Sequence, residues 1–68
     1  MKLRQLASDC DAGPCPTVWI VEGTEHVLVQ GFTVDDAEAL ATMELPDNET
    51  AVRIPAALLR RAAREYLT

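Results

Sequence analysis

The last seventeen residues, VRIPAALLRRAAREYLT, constrain the fold more than any other stretch of the chain. A β-branched run stops at Pro55, whose fixed φ and missing N–H suit the first turn of a helix. At about 100° per residue, the apolar side chains that follow share one face of that helix: Leu58, Leu59, Ala62, Ala63 and Tyr66. The pattern predicts an amphipathic helix that needs an apolar layer to pack against.

Two strands are predicted to supply that layer. Residues 17–22 (TVWIVE) and 26–32 (HVLVQGF) are rich in β-branched and aromatic side chains, and a short Gly-containing segment separates them. This arrangement is typical of a β-hairpin. The strand at 17–22 is apolar on both faces, so we expect the helix to cover one face and a second subunit to cover the other, which carries Trp19. Gly31 indicates a bulge or a close approach of another backbone segment.

A short helix and a third strand are predicted between the hairpin and the last helix. Asp35 is a suitable N-cap and Glu38 lies three positions later, as a capping box requires. Residues 36–44 then form the helix, and residues 50–54 form the strand. We therefore predict an α+β fold with a small antiparallel sheet of about three strands and two helices, in the order β-β-α-β-α.

Residues 1–16 show no clear periodicity and contain two prolines and a glycine, so we predict an irregular N-terminal segment followed by a single α+β domain at 17–68. The chain has 68 residues, which is small for a stable core. The side chains that we expect to be buried are Val18, Ile20, Val27, Val29, Val52, Ile54, Leu58 and Leu59.

Charge is strongly segregated along the chain. Residues 9–49 contain ten acidic residues and no Lys or Arg, whereas the last helix carries Arg60, Arg61 and Arg64. The net charge of −5 opposes binding to nucleic acid, which depends on neutralising phosphates. A basic helix on an acidic body can dock on its own body, on a second subunit or on an acidic partner. No signal peptide or membrane span is recognisable, so we expect a cytoplasmic protein.

Cys10 and Cys15 are the only cysteines and lie in a Pro/Gly-containing loop. Two unlinked thiols are the favoured interpretation, because a reducing cytoplasm disfavours a disulfide. A disulfide is the second interpretation. A zinc site is the third, because only one pair of ligands is present where structural sites usually have two. We therefore expect the fold to survive both a chelator and a reductant.

Catalytic residues are not indicated. The single histidine, His26, lies beside a turn with no nucleophile in a recognisable pattern around it. The acids at Asp35, Asp36 and Glu38 are accounted for by helix capping. We expect no enzyme activity, no cofactor and no metal.

The segment CPTVWIVEGTEHVLVQGF, the acidic helix after it and VRIPAALLRRAAREYL resemble small actinobacterial proteins of unknown function. Such proteins are commonly encoded beside helix-turn-helix regulators, and the BldB-like developmental proteins are their better-known relatives. The resemblance covers about residues 10–67, lacks the family's aromatic residue after the third strand, and implies regulatory partnership or dimerisation. AVRIPAALLRR is also similar to the strand–Ile-Pro–helix segment of swapped-hairpin DNA-binding proteins of the AbrB and MazE type, but the region before it is acidic here.

The predicted function is a small non-enzymatic protein-binding module that serves as partner or modulator of a transcriptional regulator. The alternative is a DNA-binding or antitoxin-like protein of the swapped-hairpin type, and a third option is a metal-stabilised module that uses Cys10 and Cys15. We expect a homodimer or a complex with a protein partner, with no nucleic acid and no membrane. The expected interface residues are Trp19, Phe32, Arg60, Arg61 and Arg64.

Overall fold

A computed structural model describes residues 1–11 and 13–68 of the chain. The described residues form an α+β fold with two helices and two antiparallel sheets, which confirms the predicted fold class. The elements follow one another as β1 (Leu3–Ser8), β2 (Thr17–Val21), β3 (Val27–Gln30), β4 (Phe32–Thr33), α1 (Ala37–Met43), β5 (Val52–Arg53) and α2 (Ala56–Leu67).

The larger sheet has the strand order β1-β2-β3. β2 pairs antiparallel with β3, from the cross-strand pair Thr17 and Gln30 to the pair Ile20 and Val27. The predicted hairpin is therefore confirmed. The prediction that residues 1–16 are irregular is wrong for the stretch that forms β1, which pairs antiparallel with β2. The sequence of β1 shows no regular alternation because the pairing register shifts between Gln5 and Ala7. Such a bulge interrupts the alternation of apolar and polar side chains that identifies a strand.

The second predicted strand, at 26–32, is divided at Gly31 into β3 and β4. A Cβ atom at Gly31 would lie 2.7 Å from the carbonyl oxygen of Arg53 and 2.7 Å from Cγ2 of Ile54. Glycine is therefore needed for the close approach of β5, as predicted. β5 pairs only with β4 in a separate two-stranded sheet, so the expectation that the third strand joins the main sheet is wrong.

The α1 helix begins at Ala37, one residue later than predicted. The Asp36 carboxylate accepts a hydrogen bond from the N–H of Ala39 at 2.9 Å, so Asp36 is the N-cap in place of Asp35. The helix ends at Glu44, which has a left-handed backbone conformation with φ of 50°. No residue of α1 is buried.

The hydrophobic core lies between α2 and the strands β1 and β2. It is small: Ala7, Val18, Leu58 and Ala62 are buried, with Leu6 and Ile54 packed against them. Leu58 is the only large side chain among the described residues that is completely buried. The predicted core is correct for Val18 and Leu58. It is wrong for Val27, Val29, Val52 and Leu59, which are exposed, and Ile20 and Ile54 are only half-buried.

The α2 helix is fixed to the sheet by packing and by one long-range hydrogen bond. Nη2 of Arg61 donates to the carbonyl oxygen of Ser8 at 2.7 Å, which ties the helix to the end of β1. This contact gives Arg61 a structural role. Arg60 and Arg64 have no such tie and lie exposed on the same helix.

Cys10 and Cys15 form a disulfide, with a Cα–Cα distance of 6.0 Å. The favoured interpretation of two unlinked thiols is therefore wrong, and the second interpretation is the one observed. Thr17 closes the loop beneath the disulfide, because its hydroxyl donates to the carbonyl oxygen of Cys15 at 2.7 Å. The disulfide removes the two thiolates that the metal-stabilised option requires, since zinc binds thiolates and not disulfide sulfurs.

Candidate protein-binding groove

An apolar groove of about 410 Å³ lies between α2 and β3. Val27 and Val29 of β3 form one wall, and Leu59 and Tyr66 belong to the α2 wall. Leu6, Val18, Ala62, Ala63 and Leu67 complete the apolar lining. Glu25 is the single charged residue that lines it. The surface is suited to holding another apolar surface, because it offers almost no polar group to orient a reactive substrate.

The groove exists because α2 covers only part of the sheet. The cross-strand pairs Ala7–Val18 and Val18–Val29 place these three side chains on one face of the sheet. The helix packs mainly over β1 and β2 on that face. Val27 and Val29 are consequently left about 40% exposed although they point to the same side as the core.

The apolar arc of α2 is wider than the strip that meets the sheet. Leu58 and Ala62 are buried, but the same arc continues to Leu59, which is 61% exposed, and to Tyr66, which is 50% exposed. Residues three or four positions apart are neighbours on a helix, so Arg60 and Arg64 border this exposed apolar strip through Ala63 and Leu67. Two cations therefore border the helix side of the groove, while the one charged residue that lines it is Glu25.

A second unburied apolar surface belongs to residues 32–53, which we call the acidic arm. The arm contains β4, α1 and β5, and it carries six acidic residues against the single cation Arg53. Phe32, Leu40, Met43 and Val52 are all exposed. Leu40 and Met43 are three positions apart on α1, so they share one face of that helix. None of the residues that line the groove comes from the arm.

The five residues predicted to form an interface are not brought together. Trp19 lies on the sheet face opposite α2, is half-buried, and donates from Nε1 to Oε1 of Gln30 at 3.2 Å. Phe32 is exposed in the small sheet, where the guanidinium of Arg53 lies 5.4 Å from its ring centroid. Arg60 and Arg64 flank the groove, whereas Arg61 is tied to β1.

The opposite sheet face carries a smaller and more polar depression of about 190 Å³. It lies between the sheet and the disulfide loop, and its lining includes Gln5, Ser8, Thr17 and Trp19. The hydroxyls of Thr17 and Ser8 are already hydrogen-bonded to each other at 3.1 Å. His26 is exposed beside the turn, as predicted. Across residues 1–11 and 13–68, no three His, Cys, Asp or Glu side chains are grouped to hold a metal ion.

Sequence reasoning missed the groove because it assigned the groove residues to the core. Val27, Val29 and Leu59 have the same periodicity as buried residues, and a pattern does not show how far a helix extends across a sheet. One signal was present in the sequence: two predicted helices, one of them short, offer too little helical surface to cover both faces of a strand that is apolar on each side.

No protein-family model, curated protein or solved structure gives a significant match to this chain. The resemblance to BldB-like proteins therefore stays a prediction. In the part of the chain that the structure describes, neither helix is long and apolar enough to cross a membrane.

Proposed function

We propose that this chain is a non-enzymatic protein-binding module that holds an apolar segment with acidic flanks, and that it serves a transcriptional regulator in this way. The groove between α2 and β3 is the observation that supports the proposal. Its walls place exposed Val27 and Val29 opposite Leu59 and Tyr66. A continuous apolar surface of this kind usually marks an interaction site.

The dimensions of the groove favour a helix as the bound segment. The exposed strip of α2 from Leu59 to Leu67 is about 12 Å long at the rise of an α-helix. Two to three turns of a partner helix match that length and would present anchors at i, i+3 or i+4, and i+7. Each apolar square ångström removed from water contributes about 25 cal/mol, so filling the groove is favourable.

The positive charges beside the groove favour a bound segment that carries acidic side chains. Arg60 and Arg64 border the outer edge and favour carboxylates on the flank of the bound helix. The net charge of −5 works against nucleic acid, and this supports a protein ligand over the antitoxin-like alternative. The link to a transcriptional regulator rests on the resemblance to proteins that are encoded beside helix-turn-helix regulators.

Peptide titration followed by NMR tests the binding. The peptide is an amphipathic helix of about 14 residues with Leu at i, i+3, i+4 and i+7 and Glu on its other face. We expect amide shifts at Val27, Val29 and Leu59, and binding at least about tenfold tighter than that of the same peptide with Lys in place of Glu. Leu59→Asp should abolish binding. Leu28→Asp, on the opposite sheet face, should preserve it.

Shifts confined to Trp19 and Leu28, or no shifts at all, would contradict the groove as the binding site. A photo-reactive residue at Ala63 tests the regulatory role in the cells from which the gene comes. We expect an adduct with a helix-turn-helix regulator at that position and none from Gln5, on the opposite sheet face. Equal labelling from both positions would refute a specific contact.

A further inference from the structure

We propose that the groove of each chain is filled by the acidic arm of a second copy, and that the protein is a two-fold dimer built by this reciprocal exchange. The inference rests on the proposed function, because it names an occupant with the chemistry that the groove favours. Four observations on the free chain support it: exposed area, apolar match, helix length and charge.

The accessible surface of the chain is larger than that expected of a folded monomer of the same mass. Its accessible surface is 5506 Å², whereas a monomer of this mass is expected to expose about 4,200 Å². The excess of about 1,300 Å² exceeds the area of roughly 800 Å² that each partner buries in a standard stable interface. The radius of gyration of 13.2 Å is likewise larger than the value of about 11 Å for a compact chain of this length. The missing burial is thus of the size that a dimer supplies.

The arm carries an apolar surface that its own chain leaves unburied. Leu40 and Met43 share a face of α1, and no residue of α1 is buried. The groove in turn is lined by no residue of the arm. Two unfilled apolar surfaces on one chain can bury each other in a closed pair when the arm of each copy reaches the groove of the other.

The length of α1 fits the groove. Seven residues of α-helix are about 10 Å long, against about 12 Å for the exposed strip of α2 from Leu59 to Leu67. The arm also has short connections to the body, because Gly31 joins it to β3 and Ile54 with Pro55 joins it to α2. Short connections limit the conformational freedom that the arm would lose when it docks on a second copy.

Opposite charges meet in this arrangement. The arm has six carboxylates and one guanidinium, whereas Arg60 and Arg64 border the groove. Glu38 lies in the first turn of α1 and Glu44 is its C-cap, so a carboxylate lies at each end of the helix. Glu25 at the other rim is the one groove residue that repels the arm. The two cations on the outer edge therefore favour one orientation of the docked arm over the reverse.

Sedimentation of the full chain, with matched variants, tests the exchange. The wild type should sediment as a dimer at micromolar concentration. Leu40→Asp on the arm and Leu59→Asp in the groove should each weaken association at least about tenfold while circular dichroism stays unchanged. Leu28→Asp has the same wild-type exposure as Val29 but lies on the opposite face, and it should remain dimeric. A dimer that is lost in Leu28→Asp and kept in Leu40→Asp would overturn the inference.

Isotope-filtered NMR on a mixed-label dimer identifies the contact directly. We expect nuclear Overhauser effects from the methyl groups of Leu40 and Met43 of one copy to Val27, Val29 and Leu59 of the other. A monomer at millimolar concentration, or a dimer without these effects, would refute the exchange. A monomer that still binds the Glu peptide in the groove would refute the dimer but support the proposed function. A dimer whose groove does not bind the peptide would refute the proposed function but support the dimer.

Discussion

Replacing Leu58 by Ala tests the assignment of the core. Leu58 is completely buried, and the residues around it are short: Ala7, Ala62 and Val18 are buried with it. The buried alanines have no side chain that can turn into the space, so only Leu6 and Ile54, which pack against the cluster, can fill part of the cavity left by the substitution. We therefore expect a loss of about 3–5 kcal/mol in the free energy of unfolding, the upper part of the range for such changes. A core in a domain of this size rarely supplies more than about 3–5 kcal/mol.

Urea unfolding followed by circular dichroism tests this expectation: Leu58→Ala should lose most of its folded signal before urea is added, and two variants serve as controls. Glu65→Ala lies on the same helix, is exposed and does not line the groove, so it should change the free energy by no more than about 0.5 kcal/mol. Leu58→Met conserves volume and should cost less than about 1.5 kcal/mol. An unfolding midpoint for Leu58→Ala equal to that of the wild type would refute the core assignment, as would an equal loss in Glu65→Ala.

Two further changes test the loop and the small sheet. Reducing the Cys10–Cys15 disulfide should lower the free energy of unfolding by about 2 kcal/mol, because the short loop it closes gains freedom when unfolded; a double Cys→Ser variant should not respond to dithiothreitol, and reactive thiols in the untreated native protein would contradict the bond. Gly31→Ala should cost about 1–3 kcal/mol, because its Cβ would lie 2.7 Å from the backbone oxygen of Arg53 and β5 would have to move; unchanged amide shifts in β4 and β5 would show that the close approach is not required.

Local structure was predictable from the sequence where one strong signal sufficed. The run TVWIVE identifies β2, and the amphipathic pattern after Pro55 identifies α2. β1 was not predictable, because Leu3–Ser8 mixes basic, polar and apolar residues and is bulged. Its strand conformation comes from pairing with β2, which is a tertiary effect that overrides weak local preference.

The candidate site was less predictable than the fold. The basic side chains of α2 could be read from the sequence, but their division into a structural tie at Arg61 and a groove border at Arg60 and Arg64 depends on how the helix lies on β1. The exposure of Leu59 and Val29 depends on the same placement. Burial is a property of the packed pair of layers, so periodicity alone assigned both residues to the core.

Because the core is small, the proposed dimer would supply part of the stability of the fold. Four buried residues form the core cluster, while apolar side chains of the groove and arm remain exposed. If the arms are exchanged, part of the folding free energy comes from the second copy, and the unfolding temperature must rise with protein concentration. For a dimer unfolding in one step, a tenfold rise in concentration corresponds to about 1.4 kcal/mol, or about 5 °C for two chains of this length. Calorimetry across two decades of concentration measures the slope. Leu59→Asp should abolish it and Leu28→Asp should keep it; a wild-type unfolding temperature independent of concentration would mean that the single chain supplies all of its own stability.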